Sequence, residues 1–284
     1  MRKKKKLIRA ILFVTAITIF VFSSYKLINY SRETKVSSDY NGSLVEQIVD
    51  TSPALITSVK ETSLVLTDDN SELSSETQYD ETPKEILEVS PISIDFNALL
   101  QENADIVGWL YCPDSPINYP VVQSEDNEYY LRRLINGEWN ISGSLFMDYR
   151  NNPLNMDWNT VIYGHNMKND SMFGTLPSYC SQDYYEQHPI IYFLTPETDY
   201  KIELLSGFVT PSNSELYNIY LSESDRTQVL SDILNSSDFT PQIEFEENER
   251  LFTLSTCSYE YDTARYVVIG KMIEIAKLNE HSTS

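Results

Sequence analysis

Hydrophobic and polar positions fall into three textures along this chain. From Ala10 to Tyr25 no charged residue interrupts an apolar run. Adding Leu7 and Ile8 across a snorkelling Arg9, and Leu27 and Ile28 across Lys26, gives about 20 residues, enough for a helix to cross a bilayer. Residues 31–90 are different: 31 of the 60 are Ser, Thr, Asp or Glu, the aliphatics are scattered, and no period is sustained. That composition predicts a disordered acidic stalk, with short pieces such as Leu44–Val49 only transiently helical.

From Pro91 onward, short β-prone runs alternate with Gly, Pro, Asn and Asp. The runs are Gly108–Tyr111, Ile117–Val122, Gly143–Met147, Thr160–Tyr163, Ile190–Leu194, Tyr200–Val209, Arg250–Thr256 and Arg265–Glu274. Asp95 is placed to cap a helix carrying Phe96, Leu99 and Leu100 on one face. Other helical stretches lie near Asn127–Leu134, Met172–Leu176, Gln182–Gln187 and Glu223–Leu234. Eight strands with inserted rather than alternating helices predict a mostly β fold, a closed barrel with peripheral helices. The chain therefore divides into a basic cluster and membrane anchor (1–30), an acidic linker (31–90), a folded domain (91–278) and a polar tail (279–284).

Charge sharpens the division. Six of the 21 basic residues lie within positions 2–9, so the chain beyond residue 9 carries a net −27 against its 42 acidic groups. A basic end followed by an acidic body argues against nucleic acid as a partner. The positive-inside rule puts the lysine cluster in the cytoplasm and the folded domain outside the cell, a single-pass membrane protein. A cleavable signal peptide is the rival reading; no small-x-small site follows the apolar core, which favours an uncleaved anchor. Outside the membrane disulfides are permitted, so Cys112 and Cys180 either pair or are separate thiols. With no second pair to form a framework, separate thiols are expected.

Three segments carry chemistry. Thr253-Leu254-Ser255-Thr256-Cys257 ends an apolar run on a thiol, and Arg265 opens the next run eight positions later. Two strands so closely joined are expected to pair antiparallel, which returns Arg265 to the side of Cys257. The third segment, Tyr163-Gly164-His165-Asn166, follows a strand; of the other histidines, His281 lies in the tail and His188 in an expected surface turn. A free thiol is only a few per cent ionised at neutral pH and needs a cation nearby to serve as a nucleophile. A guanidinium supplies a planar fork for an oxyanion and a peptide backbone, which lysine lacks. Thiol, imidazole and guanidinium together fit acyl transfer through a thioester. The acidic run Glu244–Glu249 lacks the spaced Asp/Asn and Gly of a calcium loop and reads as a solvated turn. No metal or cofactor is called for.

Thr253–Cys257 with Arg265 resembles the sortase signature Thr-Leu-x-Thr-Cys with a following Arg, and Tyr163-Gly164-His165 resembles its class B form. Further class B likeness lies in Asn118–Gln123, in Gly143–Asp148 and in Met172-Phe173, so that the similarity spans roughly residues 92–276. The resemblance implies an eight-stranded sortase barrel and a cell-wall transpeptidase of Gram-positive bacteria. Cys257 would attack a threonine carbonyl in a sorting signal of a surface protein, and a peptidoglycan amine would resolve the thioester with His165 as acid and base. It also implies substrate-binding roles for Ser255, Tyr163, Thr256 and Tyr217, and a groove wall formed by the helix-bearing insertion between Val209 and Arg250. The rival readings are a papain-like hydrolase, whose local cysteine pattern is missing, a pilus-polymerising sortase, whose lid signature is missing, and a non-catalytic wall-binding module on a stalk.

Overall fold

A computed structural model describes residues 2–51, 88–246, 249–258 and 260–277. Helix α1 (Arg2–Ile48) leads into a two-stranded ribbon of β1 (Val49–Asp50) and β2 (Ser93–Ile94). Helix α2 (Phe96–Glu102) follows, with the Asp95 carboxylate accepting from the Ala98 amide at 2.9 Å. Of its expected apolar face, Phe96 and Leu99 are buried, whereas Leu100 is 36% exposed.

Eight strands then close into a barrel: β3 (Ile106–Tyr111), β4 (Asn118–Val122), β5 (Leu145–Met147), β6 (Asn159–Tyr163), β7 (Ile190–Leu194), β8 (Asp199–Pro211), β9 (Arg250–Cys257) and β10 (Ala264–Ile275). Their order around the barrel is β10-β8-β7-β3-β4-β5-β6-β9, with β9 returning to β10. The neighbours are antiparallel except at β4–β5 and β6–β9. Helix α3 (Gln182–Gln187) precedes β7, and helix α4 (Glu223–Ser236) sits in the β8–β9 insertion after a 3-10 turn, Glu215–Tyr217.

Side chains alternate along each strand, and both sides find cover. On β9, Phe252 and Leu254 point into the barrel with Ile162, Tyr266 and Val268, while Leu251 points outward with Val161, Val267 and Ile269. That outer face packs beneath Val229, Leu230 and Ile233 of α4 and Leu216 of the 3-10 turn. A second outer face, with Trp109, Val122, Phe146 and Leu194, packs against α2 and the C-terminal part of α1. Burial on both sides explains why these strands read as apolar runs with little alternation.

Several sequence expectations need correction. The linker was expected to begin at residue 31, yet residues 31–48 continue α1 and lie on the barrel. Tyr30, Glu33, Thr34, Ser37, Tyr40, Leu44 and Ile48 recur at helical spacing and are partly or fully buried, so this stretch has an amphipathic face that its Ser/Thr-rich composition conceals. Residues 52–87 of the linker and the tail 279–284 lie outside the described residues, as do Glu247 and Asn248 of the acidic run. Met172–Leu176 does not start a helix: Asp170 and Met172 have φ of 62° and 53°, incompatible with right-handed helix, and Met172 bridges to Asn166. His188 is buried, not a surface residue, its ring 4.4 Å from that of Tyr184 and its nitrogens at the carbonyls of Tyr184 and Asp114. Cys112 is buried and Cys180 exposed, and neither forms a disulfide, in line with the expectation of separate thiols.

Phe252 is 1% exposed and lies 5.0 Å from the Phe193 ring inside the barrel. Phe252→Ala is expected to destabilise the domain by about 3–5 kcal/mol through the cavity it leaves, read as a lowered urea midpoint in unfolding followed by fluorescence.

Candidate active site

Strand register assembles the site. In the antiparallel β9–β10 pair, Cys257 stands opposite Arg265. The turn between them is short, with the Ser258 amide donating to the Ala264 carbonyl at 3.0 Å and Thr263 at a φ of 67°. On the other side of β9, the parallel pair with β6 sets Tyr163 opposite Ser255. Contacts continue past the end of β6: the Gly164 amide donates to the Ser255 carbonyl (3.2 Å), the Thr256 hydroxyl to the Gly164 carbonyl (2.8 Å), and the Asn166 amide nitrogen to the Cys257 carbonyl (2.9 Å). The same offset brings His165 level with Cys257. Imidazole, thiol and guanidinium thus form one lateral row across β6, β9 and β10, on the outer face that α4 covers further down.

Glycine at position 164 follows from crowding. A Cβ there would sit 2.4 Å from Leu145 Cδ2 and 2.7 Å from the Phe173 ring. The chain can turn away at the strand's end only because nothing projects from that position.

The row opens into a cleft of about 260 Å³. Its lining holds His165, Cys257 and Arg265 with Tyr163, Tyr217, Ser255, Thr256 and Gly164, together with Asn127, Leu131, Phe146 and Ser212. Cys257 is partly exposed in this cleft. The insertion contributes Tyr217 and Ser212, so the expected wall is formed at this end by the 3-10 turn and the end of β8.

A buried polar network fixes the cleft floor. Asp148 is fully buried and paired with Arg150, whose Nη2 reaches it at 2.8 Å. Burial pushes the Asp148 carboxyl up, but the Arg150 and Tyr163 bonds together outweigh it and leave the group below its ordinary range. The Tyr163 hydroxyl donates to Asp148 at 3.0 Å, and burial followed by that carboxylate drives the phenol far above its ordinary value. Tyr163 and Tyr217 stack with centroids 6.2 Å apart. The Tyr217 turn is itself tied down: Arg150 donates to the Tyr217 carbonyl (3.0 Å) and Asn159 to the Leu216 carbonyl (2.8 Å). Tyr217 Oη and Ser255 Oγ lie 2.9 Å apart, and burial raises the Tyr217 phenol to about 12 against the opposing pull of Ser255 and Arg265.

The imidazole is held from the opposite wall. His165 Nε2 lies 2.7 Å from the Leu131 carbonyl. A carbonyl only accepts, so Nε2 carries the proton and Nδ1 is the basic nitrogen of the neutral ring. Burial lowers the His165 pKa, the Leu131 carbonyl offsets part of that, and Arg132 lowers it further.

All seven residues expected at the site line this one cleft. Thr256 differs in posture, because its hydroxyl faces the Gly164 carbonyl and clamps β9 to the β6 exit. Sequence reasoning missed Asn127, Leu131, Phe146 and Ser212, whose side-chain types carry no chemical signal. It also missed Asn166, which stands in a marked segment and whose side chain holds the Cys257 carbonyl.

With this geometry in place, comparison with known proteins is decisive. The Sortase domain family matches residues 110–273, more than half of the chain. The chain belongs to the sortase family. Sortase B of Listeria monocytogenes is 37% identical over 174 residues, covering 60% of this chain and 71% of that protein. A Staphylococcus aureus sortase B–substrate complex is similar with a TM-score of 0.61 at 33% identity, covering 64% of this chain and 85% of that one. Clostridium perfringens sortase B gives a TM-score of 0.59 at 32% identity, covering 62% and 98%. This sortase is of class B and is an enzyme, a transpeptidase, built on the expected eight-stranded barrel.

Two measurements check the site's physics. The C2-proton NMR titration of His165, one of three histidines, is expected to have its midpoint below the ordinary ~6.5. Because the unfolded chain then binds more protons in that window, this residue's contribution to stability falls as pH drops from ~6.5 through the folded value. Tyr217→Phe and Ser255→Ala each remove one member of a buried bond and are expected to cost about 1–3 kcal/mol. Their double variant should cost less than the sum in a denaturation cycle.

Proposed function

We propose that the row of His165, Cys257 and Arg265 is the catalytic centre of a membrane-anchored sorting transpeptidase, with residues 91–278 as its catalytic domain. The observation that carries this reading is the convergence of the three side chains on one cleft from three adjacent strands. The Cys257 thiolate attacks the carbonyl carbon of a threonine in the sorting signal, forming a tetrahedral oxyanion. The Arg265 guanidinium stabilises that charge and docks the peptide backbone through paired donors. As the C–N bond breaks, the His165 imidazolium gives its Nδ1 proton to the departing amine and a threonyl thioester remains. An incoming amine then loses a proton to neutral His165 as it attacks; the C–S bond breaks and the thiolate returns. A lowered His165 pKa makes imidazolium a minor species at neutral pH but a stronger acid toward the leaving amine.

The peptide lies against Tyr163, Tyr217 and Ser255, whose positions the Asp148–Arg150 network fixes before any ligand arrives. The similar S. aureus sortase B has a substrate complex, and a sortase B has been crystallised with triglycine. Both support a peptide donor and an amino-terminal acceptor, here a peptidoglycan amine. The apolar first part of α1 supports a membrane anchor, since its helix is long enough to span a bilayer and its apolar window is not buried in the protein. With the basic cluster inside, the cleft faces the extracellular side.

Cleavage of a fluorogenic Pro-x-Thr peptide by the purified chain is expected to accelerate with an added amine. Cys257→Ala and His165→Ala should abolish turnover, and Arg265→Ala should lower it by about 10²–10³-fold, with Arg265→Lys a poor substitute. Wild-type rates in all of these variants would falsify the assignment.

A further inference from the structure

The loop that holds the His165 ring is itself held by the helix that emerges from the apolar segment. Glu33 lies five residues past Ile28, the last apolar residue of that segment. Its carboxylate accepts from the Ile141 amide at 3.2 Å, and its carbonyl accepts from the Asn140 side chain at 3.0 Å. Asn29, one helical turn earlier, donates to the other carboxylate oxygen at 2.6 Å and sets its direction.

Asn140 is 2% exposed. Its amide donates to the Arg132 carbonyl at 2.9 Å, and the Arg132 guanidinium returns a bond to the Ile141 carbonyl at 3.2 Å. The next residues lock the same strip: the Gly143 amide bonds Asn140, and Ser144 bonds the carbonyls of Tyr130 and Arg133. Gly143, at a φ of 58°, lies so close that a Cβ would stand 2.6 Å from the Leu131 oxygen. That oxygen is the one 2.7 Å from His165 Nε2. A continuous series of hydrogen bonds and close backbone contacts therefore runs from α1 to the imidazole.

We propose that Glu33 and Asn140 are positioning residues for His165: through the 130–144 loop, the anchor helix fixes the Leu131 carbonyl and with it the orientation of the imidazole in the cleft. The proposal rests on the role given to His165 above. It makes α1 part of the working enzyme and not merely its tether. A freed loop lets the ring rotate away from the row and admits water to it. Arg132, Cys257, Arg265 and the phenols of Tyr163 and Tyr217 are the charged or titratable groups that share its surroundings among the described residues.

The test uses the full chain in nanodiscs, with Glu33→Ala, Glu33→Asp and Glu33→Gln. Glu33→Asp keeps charge and helix but withdraws the carboxylate by one methylene; Glu33→Gln keeps an oxygen in reach of the Ile141 amide. The Ala and Asp variants are expected to lose about tenfold in kcat with KM within about twofold, since misplacing an acid–base group slows chemistry without removing substrate contacts. Their His165 titration should move up toward the ordinary ~6.5 as the ring is rehydrated. Gln should restore both, and Lys35→Ala, on an exposed position of the same helix, should alter neither. Unchanged kcat and titration in the Ala and Asp variants, or Gln as impaired as Ala, overturns the proposal. If the parent chain acts on no peptide, the functional reading fails instead, and the titration alone still decides whether α1 controls His165.

Discussion

Two strand pairings of opposite sense share β9, and the site exists because both are in register. The antiparallel partner carries Arg265 to Cys257, and the parallel partner carries His165 to the same level. A slip of one residue in either pairing would turn Arg265 or His165 to the other face of the sheet. What prevents slippage is the double-sided burial of β9. Phe252 and Leu254 are committed to the interior, and Leu251 to the layer beneath α4. The Thr253 hydroxyl adds a lock, donating at 2.8 Å to the fully buried Asn159, whose amide in turn holds the Leu216 carbonyl. Apolar packing therefore specifies the geometry of three polar groups that take no part in it.

Around that row the polar groups are arranged in advance of any ligand. Asp148 sits without solvent contact, a costly place for a carboxylate unless it is paired and fully bonded. Arg150, Tyr163 and Asn127 supply that compensation. The result is a rigid aromatic floor in which Tyr163 and Tyr217 cannot move independently. Rigidity of this kind keeps the cleft open with its donors aimed, so ordering is settled during folding and not when a ligand arrives.

Legibility from sequence followed the reach of the interactions involved. The β9–β10 hairpin was readable because Cys257 and Arg265 are close in sequence and two apolar strands with a short link pair locally. The strands themselves were readable to within a few residues, since burial on both sides leaves an apolar run bounded by turn residues. The row with His165 was not readable from spacing: a parallel pairing across about ninety residues leaves no local trace, and family likeness had to supply it. The 31–48 segment was misread because its helical face is built from Tyr30, Thr34, Ser37 and Leu44, a face too polar to stand out. Its burial depends on partners such as Asn140 that appear a hundred residues later. Leu131 was invisible for a further reason: it acts on His165 through its carbonyl, which every residue type carries.

The unbroken course of α1 from Arg2 to Ile48 has a geometric corollary. A continuous helix transmits twist, advancing about 100° and 1.5 Å with each residue. The azimuth of its apolar half is therefore geared to the seat of its C-terminal half on the barrel. One extra residue between Ile28 and Glu33 would swing the first half through more than a quarter of a revolution relative to the cleft, whereas seven would bring it back nearly in phase and about 10 Å farther away.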